Sequence, residues 1–259
     1  MRIAIIGGGK MVTQMVKGWK NSGLELSAFG LWLRNKEKQQ HFVEKHGVTS
    51  IETLEELKDY DGIMLGIVPE AFVEIAGQLH HYLVEDHLIM SIAGGVSIQD
   101  IDDMFDHHQK IVRMMPNTPV AVNAGVIAMS HNDYVSREEI QELTEIMQRL
   151  GTVKWIDESL MHIMPAIAAS SPTFVYMMIE AMADNAVAAG LGRETAYQLA
   201  SQMVIGAGKM VLESGKHPAV LKDQVTSPGG STIQGVKKLE EKGFRDAISK
   251  AMDEITKYN

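Results

Sequence analysis

The feature that most constrains the fold is a glycine-rich turn between an apolar strand and a helical run. The stretch "IAIIGGGKMV" puts Gly7 and Gly9 directly after the apolar residues and before a helical pattern at 10–21. Gly7 permits a tight turn, and Gly9 lets a pyrophosphate approach the backbone at the helix N-terminus. The third fingerprint position, usually Gly or Ala, is Val12. In this context the motif predicts a dinucleotide-binding domain, and the alternative is a plain glycine turn.

Strand and helix patterns alternate through the first part of the chain. Short apolar runs predict strands, and amphipathic runs between them predict helices. The predicted strands are 2–7, 30–35, 61–69, 87–95, 110–119, 125–131 and 151–157, and the predicted helices are 10–21, 36–46 and 136–149. This alternation predicts a mostly parallel sheet covered on both faces, with ligands at the carboxyl ends of its strands.

The pattern changes after about residue 157, beyond which no strand is predicted. The expected helices are a long apolar one from about 160 to 189, another from about 193 to 214, a turn or short helix at "HPAV", and 231–257 with a break at Gly243. The predicted architecture is an α/β Rossmann-type dinucleotide-binding domain at 1–158 and an all-α dimerisation domain at 159–259. A homodimer is inferred because the first long helix is apolar on too many faces for a lone small domain.

Composition argues against several classes of partner. The net charge of −9 disfavours general binding to nucleic acid or to an anionic membrane, since both need a basic protein surface. The chain has no cysteine, which removes thiol chemistry and fits a cytoplasmic protein. The uncharged run 163–179 is just short of a membrane span and contains Pro165 and Pro172, so we interpret it as a helix buried in protein.

The end of the second predicted strand favours NADP over NAD. An NAD site usually carries an acidic residue there, for the ribose hydroxyls. This chain has Arg34, Asn35 and Lys36 instead, and a guanidinium and an ammonium suit a 2′-phosphate. The alternative is that both cations are simply solvated at the start of a helix.

No metal site or nucleophile is predicted. The pairs His80-His81 and His107-His108 lack acidic partners at metal-ligand spacing, and we interpret them as solvated side chains. An enzyme that transfers hydride needs neither, because its cofactor carries the chemistry.

The segment "DQVTSPGGSTIQG" at 223–235 combines a proline, two adjacent glycines and three hydroxyls at the start of a helical run. One interpretation is a tight helix N-terminus capped by Ser or Thr. The other is a small anion site, in which several backbone N–H groups are left bare for a ligand. The segment alone leaves both open.

Several longer segments resemble the pyrroline-5-carboxylate reductases, the enzymes that make proline. The strongest match is "HPAVLKDQVTSPGGSTIQGVKKLEEKGFRDAISKA", and "SIAGG", "RMMPNTP" and "IEAMADNAVAAGLGR" also match the family's usual segments. The resemblance implies an N-terminal dinucleotide-binding domain and a helical domain whose long helices interlock in a dimer, often assembled further into rings. It also implies NADPH-dependent reduction of the cyclic imine pyrroline-5-carboxylate.

The resemblance also implies roles for particular residues. In the family, the stretch matching 227–232 holds the substrate carboxylate on backbone amides, and the threonine matching Thr232 reaches the ring nitrogen. The candidate substrate residues are therefore Ser227, Gly229, Gly230, Ser231 and Thr232, with Thr232 catalytic. The candidate cofactor residues are Gly7, Gly9, Lys10, Met11, Arg34, Asn35, Lys36, Val68, Pro69, Ala93, Gly94, Pro116 and Asn117.

The chain departs from the family pattern at several positions. The family usually has "SGSGPAY" where this chain has "AASSPTF" at 168–174, so that Ala169 and Ser171 replace glycines. The family's "VKP" is "IVP" here, with Val68 in place of the lysine, and Glu70 stands where a glutamine usually follows. These changes alter the walls expected around cofactor and substrate, and a shifted cyclic-imine substrate is one consequence they allow.

Two other functions compete with the reductase. A non-catalytic or regulatory relative would keep the fold and the dimer. The altered 168–174 segment and Val12 favour it, while Thr232 counts against it. A two-domain 2-hydroxy-acid dehydrogenase would use a lysine on the long interdomain helix, but no lysine lies between 155 and 208.

Overall fold

The computed structural model describes residues 1–105 and 109–258. The pair His107-His108, interpreted above as solvated, lies outside the described residues. By its internal contacts the chain divides into two units, Met1–Ala169 and Ser170–Tyr258.

The first unit is built on one eight-stranded sheet. Its strands in chain order are β1 (Ile3–Ile6), β2 (Phe29–Trp32), β3 (Thr49–Ser50), β4 (Gly62–Leu65), β5 (Leu88–Ser91), β6 (Lys110–Pro116), β7 (Gly125–His131) and β8 (Gly151–Trp155). Their spatial order is β3-β2-β1-β4-β5-β6-β7-β8. Neighbouring strands pair in parallel except β6 and β7, which are antiparallel. The predicted mostly parallel sheet is confirmed.

Helices connect the strands of the first unit. The α-helices are α1 (Lys10–Asn21), α2 (Lys36–His46), α3 (Phe72–Leu79), α4 (Ile98–Met104) and α5 (Arg137–Gln148). Short 3-10 helices lie at Leu26–Ala28, Leu54–Asp59, Pro69–Ala71, Thr118–Val122 and Glu158–Ile163. Helices α1, α2 and α5 were predicted. Helices α3 and α4 were not predicted, because they have only eight and seven residues, too few for a clear helical periodicity.

The sheet is buried on both faces, as a parallel sheet covered by helices should be. All four residues of β1 are buried, with Ile3 and Ile5 in one apolar cluster and Ala4 and Ile6 in the other. This division follows from the two-residue period of a strand. Trp19 of α1 anchors the first cluster, because its ring stacks on Phe29 at 4.6 Å between centroids and its Nε1 donates to the Ile146 carbonyl at 3.1 Å.

The second unit is helical throughout residues 170–258. Its helices are α6 (Ser171–Ala188), α7 (Arg193–Ser214), α8 (Pro218–Gln224), α9 (Ser231–Glu241) and α10 (Phe244–Lys257). The predicted break at Gly243 is confirmed, since this residue has a left-handed φ of 72° between α9 and α10. Such a backbone conformation favours glycine over any residue with a Cβ.

The single helix predicted from about 160 to 189 is wrong. The structure has a 3-10 helix at Glu158–Ile163, a π-helical turn at Pro165–Ala169 and then α6, which begins at Ser171. Pro172 lies in the first turn of α6. Proline has no backbone N–H and fits only the first turn of a helix, so it ends the preceding helical segment.

The division between the units falls later than the predicted domain boundary after residue 158. The turns at 158–169 belong by their contacts to the first unit, which ends at Ala169. A contact-based division follows packing, whereas the sequence pattern follows the end of the last strand, so the two need not coincide. The functional boundary at 158 stays a prediction.

The long helices of the second unit expose much apolar surface. In α6 the only fully buried residue is Ala183, and in α7 only Ala196 and Ala200 are buried. The exposed apolar residues of these two helices include Tyr176, Met177, Leu199, Met203, Ile205, Met210 and Leu212. Because α7 exposes at least as many as α6, the apolar surface predicted on the first long helix extends over both.

The segment Pro165–Ala188 is long and apolar enough to cross a membrane by length and composition, with a mean hydropathy of 1.2. Only 17% of that window is buried within the chain. A helix that packs in a subunit interface passes the same test, so the segment carries little evidence for a membrane.

Acidification is expected to destabilise the first unit through His87. The ring is buried, and its Nδ1 accepts a hydrogen bond from the Val84 amide at 3.1 Å. Burial lowers the pKa of His87 below the ordinary value of 6.5. The unfolded chain therefore takes up a proton at higher pH than the folded chain does. Stability is unaffected by His87 above pH 6.5, and it falls below that pH until the lowered folded pKa is passed.

Thermal unfolding measured from about pH 8 to about pH 5 tests this, since one histidine contributes at most about 1.4 kcal/mol per pH unit. His87→Asn keeps an acceptor for the Val84 amide and is expected to flatten the loss of stability. Some slope should remain, because burial, followed by Lys45, lowers the pKa of His46 as well. His81→Asn, at an exposed position, is the matched control. A His87→Asn variant with the wild-type pH slope would contradict the assignment.

Candidate active site

The candidate cofactor residues lie at one edge of the sheet. They follow β2, β1, β4, β5 and β6, which are consecutive neighbours and run parallel to one another. Their carboxyl ends therefore meet at the same edge. The strand order reverses at β1, with β2 on one side and β4 on the other. A crevice at such a switch point is where open α/β sheets bind their ligands.

The turn after β1 requires glycine at its first position. Gly7 has a φ of +106°, and a Cβ there would lie 2.4 Å from the carbonyl oxygen of Gly66. Both the backbone angle and the contact exclude a side chain, because Gly66 O belongs to the rigid backbone after β4. The first fingerprint glycine is therefore fixed by the protein itself.

The N-terminus of α1 is open to a ligand. Gly9 is its N-cap, no side chain caps the helix, and no acidic residue lies in its first turn. A Cβ on Gly9 would meet nothing closer than Gly66 O at 3.9 Å. The protein alone does not require glycine here, whereas a close-lying pyrophosphate would. The amides of Lys10, Met11 and Val12 are the first of α1 and point toward that space, so the cradle fits a dinucleotide.

Val12, the departure from the fingerprint, is accommodated by a second glycine. Its side chain is buried against Gly66, where a Cβ would lie 2.3 Å from Val12 Cγ2. The usual small residue at this fingerprint position allows close packing between helix and strand. Here the space is provided by Gly66 instead, so Val12 leaves the turn in place.

Two adjoining cavities extend from this turn. One, of about 260 Å³, is lined by Gly7, Gly9, Arg34, Val68, Ala71 and Ile75 among others. The other, of about 590 Å³, is lined by Gly8, Leu33, Arg34, Asn35, Lys38 and His41 among others. Arg34 borders both cavities. Val68 is 62% exposed at the rim of the first.

Lys36 makes hydrogen bonds within the protein, and its expected role on the 2′-phosphate stays a prediction. Its Nζ donates to the carbonyls of Ile51 at 3.2 Å and Glu52 at 2.8 Å, and to Gln39 Oε1 at 3.3 Å. An ammonium has three protons, so these acceptors use all of its donors. Lys36 ties the start of α2 to the chain after β3.

Two other basic residues lie beside the larger cavity. Lys38 and His41, three residues apart on one face of α2, line the larger cavity with Arg34. The spacing of these basic residues was visible in the sequence, although which of them faces the cavity depends on the fold. Asn35 has a structural role here, because its side chain caps α2 by accepting a hydrogen bond from the Lys38 amide at 2.8 Å.

The remaining cofactor candidates line the same edge through backbone or small side chains. Pro69 begins a short 3-10 helix after Val68. Ala93 is buried, and its amide donates to Ser91 Oγ at 3.2 Å. A Cβ on Gly94 would meet no atom within 4 Å, so the turn after β5 is open on that side.

Asn117 is a positioning residue by its contacts. Its side chain is 5% exposed. Its Oδ1 accepts from the Val126 amide at 2.8 Å, and its Nδ2 donates to the Ala168 carbonyl at 3.0 Å. The expected contact of Asn117 with the cofactor stays a prediction, and its backbone is the part that these side-chain bonds leave available. The side chain of Asn117 holds the π-helical turn at Pro165–Ala169. Pro116, the residue before Asn117, ends β6.

The candidate substrate segment forms an uncapped helix N-terminus in the second unit. Gly229 has a left-handed φ of 72°, and the Gly230 amide donates to the Ser227 carbonyl at 3.0 Å in a tight turn. Gly230 is the N-cap of α9, and no side chain caps it. The interpretation of a helix capped by Ser or Thr is therefore wrong, and Thr232 is the second residue of the helix.

Helices α1 and α9 share a feature that the other described helices lack. Each begins at a glycine N-cap without a side-chain cap and has no acidic residue in its first turn. Helices α7 and α10 also begin at glycine, but Glu194 and Asp246 lie in their first turns. Both α1 and α9 thus keep a positive, unneutralised N-terminus of the kind that binds anions.

Thr232 presents a free hydroxyl at this position. The residue is exposed, and its Oγ1 has no hydrogen-bond partner among residues 1–105 and 109–258. The neighbouring Thr226, by contrast, donates to the Lys222 carbonyl at 2.6 Å. Of the two threonines, only Thr232 can donate a hydrogen bond to a ligand without breaking a bond inside the protein.

No cluster of three metal-ligating side chains occurs in the part of the chain that the structure describes. The absence of a metal remains a prediction, because His107-His108 lies outside it.

Comparisons with known proteins assign the family. A family model described as pyrroline-5-carboxylate reductase dimerisation matches residues 158–259, and one described as NADP oxidoreductase, coenzyme F420-dependent, matches residues 2–95. The pyrroline-5-carboxylate reductase of Escherichia coli (strain K12) is 38% identical over 97% of this chain and 94% of its own. The chain belongs to the pyrroline-5-carboxylate reductase family.

Solved structures of the family agree with the fold. The pyrroline-5-carboxylate reductase of Coxiella burnetii matches with a TM-score of 0.89 and 31% identity, covering 99% of this chain and 96% of its own. The Plasmodium falciparum pyrroline carboxylate reductase with NADP bound matches with a TM-score of 0.86 and 27% identity, covering 100% and 96%. The resemblance inferred from the sequence is confirmed, as is the two-part architecture with a dimerisation region.

The segment 168–174, in which this chain departs from the family pattern, forms the end of the π-helical turn and the start of α6. Ala168 is buried, and its carbonyl accepts the bond from Asn117. Ala169 ends the π-helical turn, and Ser171 begins α6. Alanine and serine adopt these right-handed helical conformations readily, so the lost glycines leave no backbone strain there.

The pairing of Val12 with Gly66 is expected to show in variants. Gly66→Ala should destabilise the first unit by about 1–3 kcal/mol, the usual cost of overpacking a core. It should also weaken NADP+ binding, because the displaced α1 carries the phosphate site. Adding Val12→Ala should recover stability, since it removes the methyl groups that the new Cβ would meet.

Thermal unfolding and NADP+ titration of both single variants and the double variant measure this coupling. Val12→Ala alone is the control for the cavity that the lost methyl groups leave. A double variant less stable than Gly66→Ala would show that the two residues are not paired in the way described.

Proposed function

We propose that this protein catalyses the NADPH-dependent reduction of pyrroline-5-carboxylate to proline. The observation that carries the proposal is the start of α9, where bare backbone amides and the free hydroxyl of Thr232 lie together in a chain of this family. The substrate has a carboxylate beside its ring nitrogen, which matches an anion site beside a hydroxyl donor.

The first unit is proposed to hold the cofactor. The amides at the start of α1 bind the pyrophosphate, and Arg34 with Lys38 binds the 2′-phosphate. The NADP bound in the Plasmodium falciparum relative supports this choice of cofactor. The reduced nicotinamide supplies a hydride, and the turns after β4, β5 and β6 form the wall that positions it.

The start of α9 is proposed to hold the substrate carboxylate. Gly229 and Gly230 have no side chains to cover the backbone. The amides of Ser231 and Thr232 lie at the positive end of the helix dipole. Ser227 Oγ lies beside Gly230, since a Cβ built there would be 2.5 Å from it, and it adds a second hydroxyl to the site.

Thr232 is proposed to assist the chemical step. As hydride adds to the imine carbon, the electron pair of the C=N bond moves to nitrogen, which takes a proton to give the ring amine of proline. A hydroxyl donating to that nitrogen stabilises the transition state because the electron density it receives increases during the reaction. The same hydroxyl fixes the orientation of the substrate ring on α9.

A non-catalytic relative is the competing function, and two of its arguments lose force. Val12 is compensated by Gly66, and the residues at 168–174 lie in a π-helical turn and the start of α6 without a left-handed backbone angle. The loss of the family's lysine at Val68 remains the main argument for it. We further propose a cytoplasmic location, consistent with the absence of cysteine and the biosynthetic reaction.

Thr232→Ala is expected to lower turnover of pyrroline-5-carboxylate strongly. Loss of one preorganised donor costs about 10²–10³ in rate, and a water that takes its place would reduce the loss. NADPH binding and the melting temperature should change little, because Thr232 is exposed and does not cap α9. Thr232→Ser keeps the hydroxyl and should retain most of the activity.

The matched control is Thr256→Ala, which removes a threonine hydroxyl from α10 in the same unit. Steady-state rates with NADPH, together with melting temperatures, separate chemistry from folding. Normal turnover in Thr232→Ala would defeat the catalytic role. Absence of turnover in the wild type, despite NADPH binding, would favour the non-catalytic relative.

We also propose that the chain is an obligate homodimer through α6 and α7. The family resemblance further implies assembly of the dimers into rings. The dimerisation description of residues 158–259 supports it, as does the apolar surface on both helices. Light scattering at low micromolar concentration is expected to show no folded monomer.

A charge placed on α7 tests the surface directly. Leu199→Glu should lower the melting temperature and shift the dimer toward dissociation at low protein concentration, since the charge weakens the association on which folding depends. Val84→Glu, at an exposed aliphatic residue of the first unit, should leave both unchanged. A stable wild-type monomer would show that these helices are covered by something other than a second copy.

A further inference from the structure

Arg34, the residue expected to recognise the 2′-phosphate, has an anionic partner within the protein. Its Nη1 lies 2.8 Å from Oε1 and 2.9 Å from Oε2 of Glu74, which belongs to α3. One nitrogen therefore serves both carboxylate oxygens. The pair spans from the end of β2 to α3, and its Arg34 lines the cavity that contains the glycine turn.

The pair is exposed enough to exchange. The Arg34 side chain is 58% exposed and that of Glu74 is 56% exposed. Ion pairs in such surroundings are weak, because water screens the charges and the side chains lose freedom when they pair. A phosphate, with a charge near −1.5 to −2, can displace the carboxylate from the guanidinium.

The lysine nearest Arg34 along the chain does not neutralise Glu74 in its place. Lys36, the next basic residue along the chain, has given all three of its protons to Gln39, Ile51 and Glu52. Lys38 lies along the wall of the larger cavity. A 2′-phosphate that approaches Arg34 therefore comes close to the carboxylate of Glu74, and like charges at short range repel each other.

We infer that Glu74 weakens the preference of this chain for 2′-phosphorylated cofactors by competing with the 2′-phosphate for Arg34. Binding of a 2′-phosphorylated nucleotide replaces the Arg34–Glu74 pair with an Arg34–phosphate pair and leaves Glu74 without its partner. A nucleotide with a free 2′-hydroxyl causes no such exchange, and Glu74 can accept a hydrogen bond from the ribose. Glu74 therefore narrows the advantage of NADPH over NADH. This inference rests on the proposed cofactor site.

The test uses two ligands that differ only in the 2′-phosphate, adenosine 2′,5′-bisphosphate and adenosine 5′-monophosphate, in equilibrium titrations of the whole protein. Glu74→Gln keeps the shape and one acceptor but removes the charge. It is expected to tighten binding of the bisphosphate about two- to fivefold, the range of an exposed ion pair. Binding of the monophosphate should stay the same or weaken slightly.

A double-mutant cycle assigns the effect to Arg34. In an Arg34→Gln background, Glu74→Gln should tighten binding of the bisphosphate much less, because no guanidinium is left for the carboxylate and the phosphate to compete for. The gain should also shrink as salt is raised, since exposed charges are screened. Glu138→Gln is the control for net charge, because this exposed carboxylate lies on α5, which contributes no residue to either cavity.

The opposite result has a clear meaning. If Glu74→Gln weakens binding of the bisphosphate, Glu74 positions Arg34 for the phosphate and the competition is wrong. Equal changes with both ligands, or none with either, also overturn the inference. A wild-type protein that binds both ligands equally would instead overturn the proposed NADP site, and turnover of pyrroline-5-carboxylate would decide the reaction independently.

Discussion

The close contact between the turn after β1 and the backbone after β4 is the constraint on which the cofactor edge depends. Gly7 can have no side chain because the Gly66 carbonyl lies where its Cβ would be, and Gly66 can have none because Val12 fills that space. These three residues fix how closely α1 approaches the sheet. The direction of its first amides, and hence the position of any phosphate, follows from that approach. The contact also explains how a bulky residue is tolerated in the fingerprint.

Much of the fold could be predicted because its signals are local. Short apolar runs located seven of the strands, and the glycines at the end of β1 and before α10 marked turns that require them. The two-residue strand β3 has too few residues to show a period. The helix predicted across 160–189 failed for a different reason. Its apolar content was read correctly, but Pro172 permits a helix to begin there and not to continue through.

The candidate site was predictable in kind, whereas the roles of single side chains were not. The sequence placed basic residues after β2, yet Lys36 is used by carbonyls at Ile51 and Glu52, which are distant in sequence. Asn117 lies in a motif associated with the cofactor, but its amide bonds Ala168 and Val126. Such assignments depend on contacts between segments far apart in the chain. No local pattern encodes them, and a motif match alone therefore names positions more reliably than functions.

Helix termini provide a better guide than the count of charged residues. Helices α2, α4 and α5 begin with Asn35, Ser97 and Ser136, which satisfy the first amides internally. Helices α1 and α9 begin with glycine and offer nothing to theirs. A terminus with its own cap has little left to give a ligand, and a cation whose protons are all accepted has equally little. Arg34 lies between these cases, because its partner Glu74 is weakly held in water. What a site can bind is set by the donors that the protein leaves uncommitted, or commits only weakly.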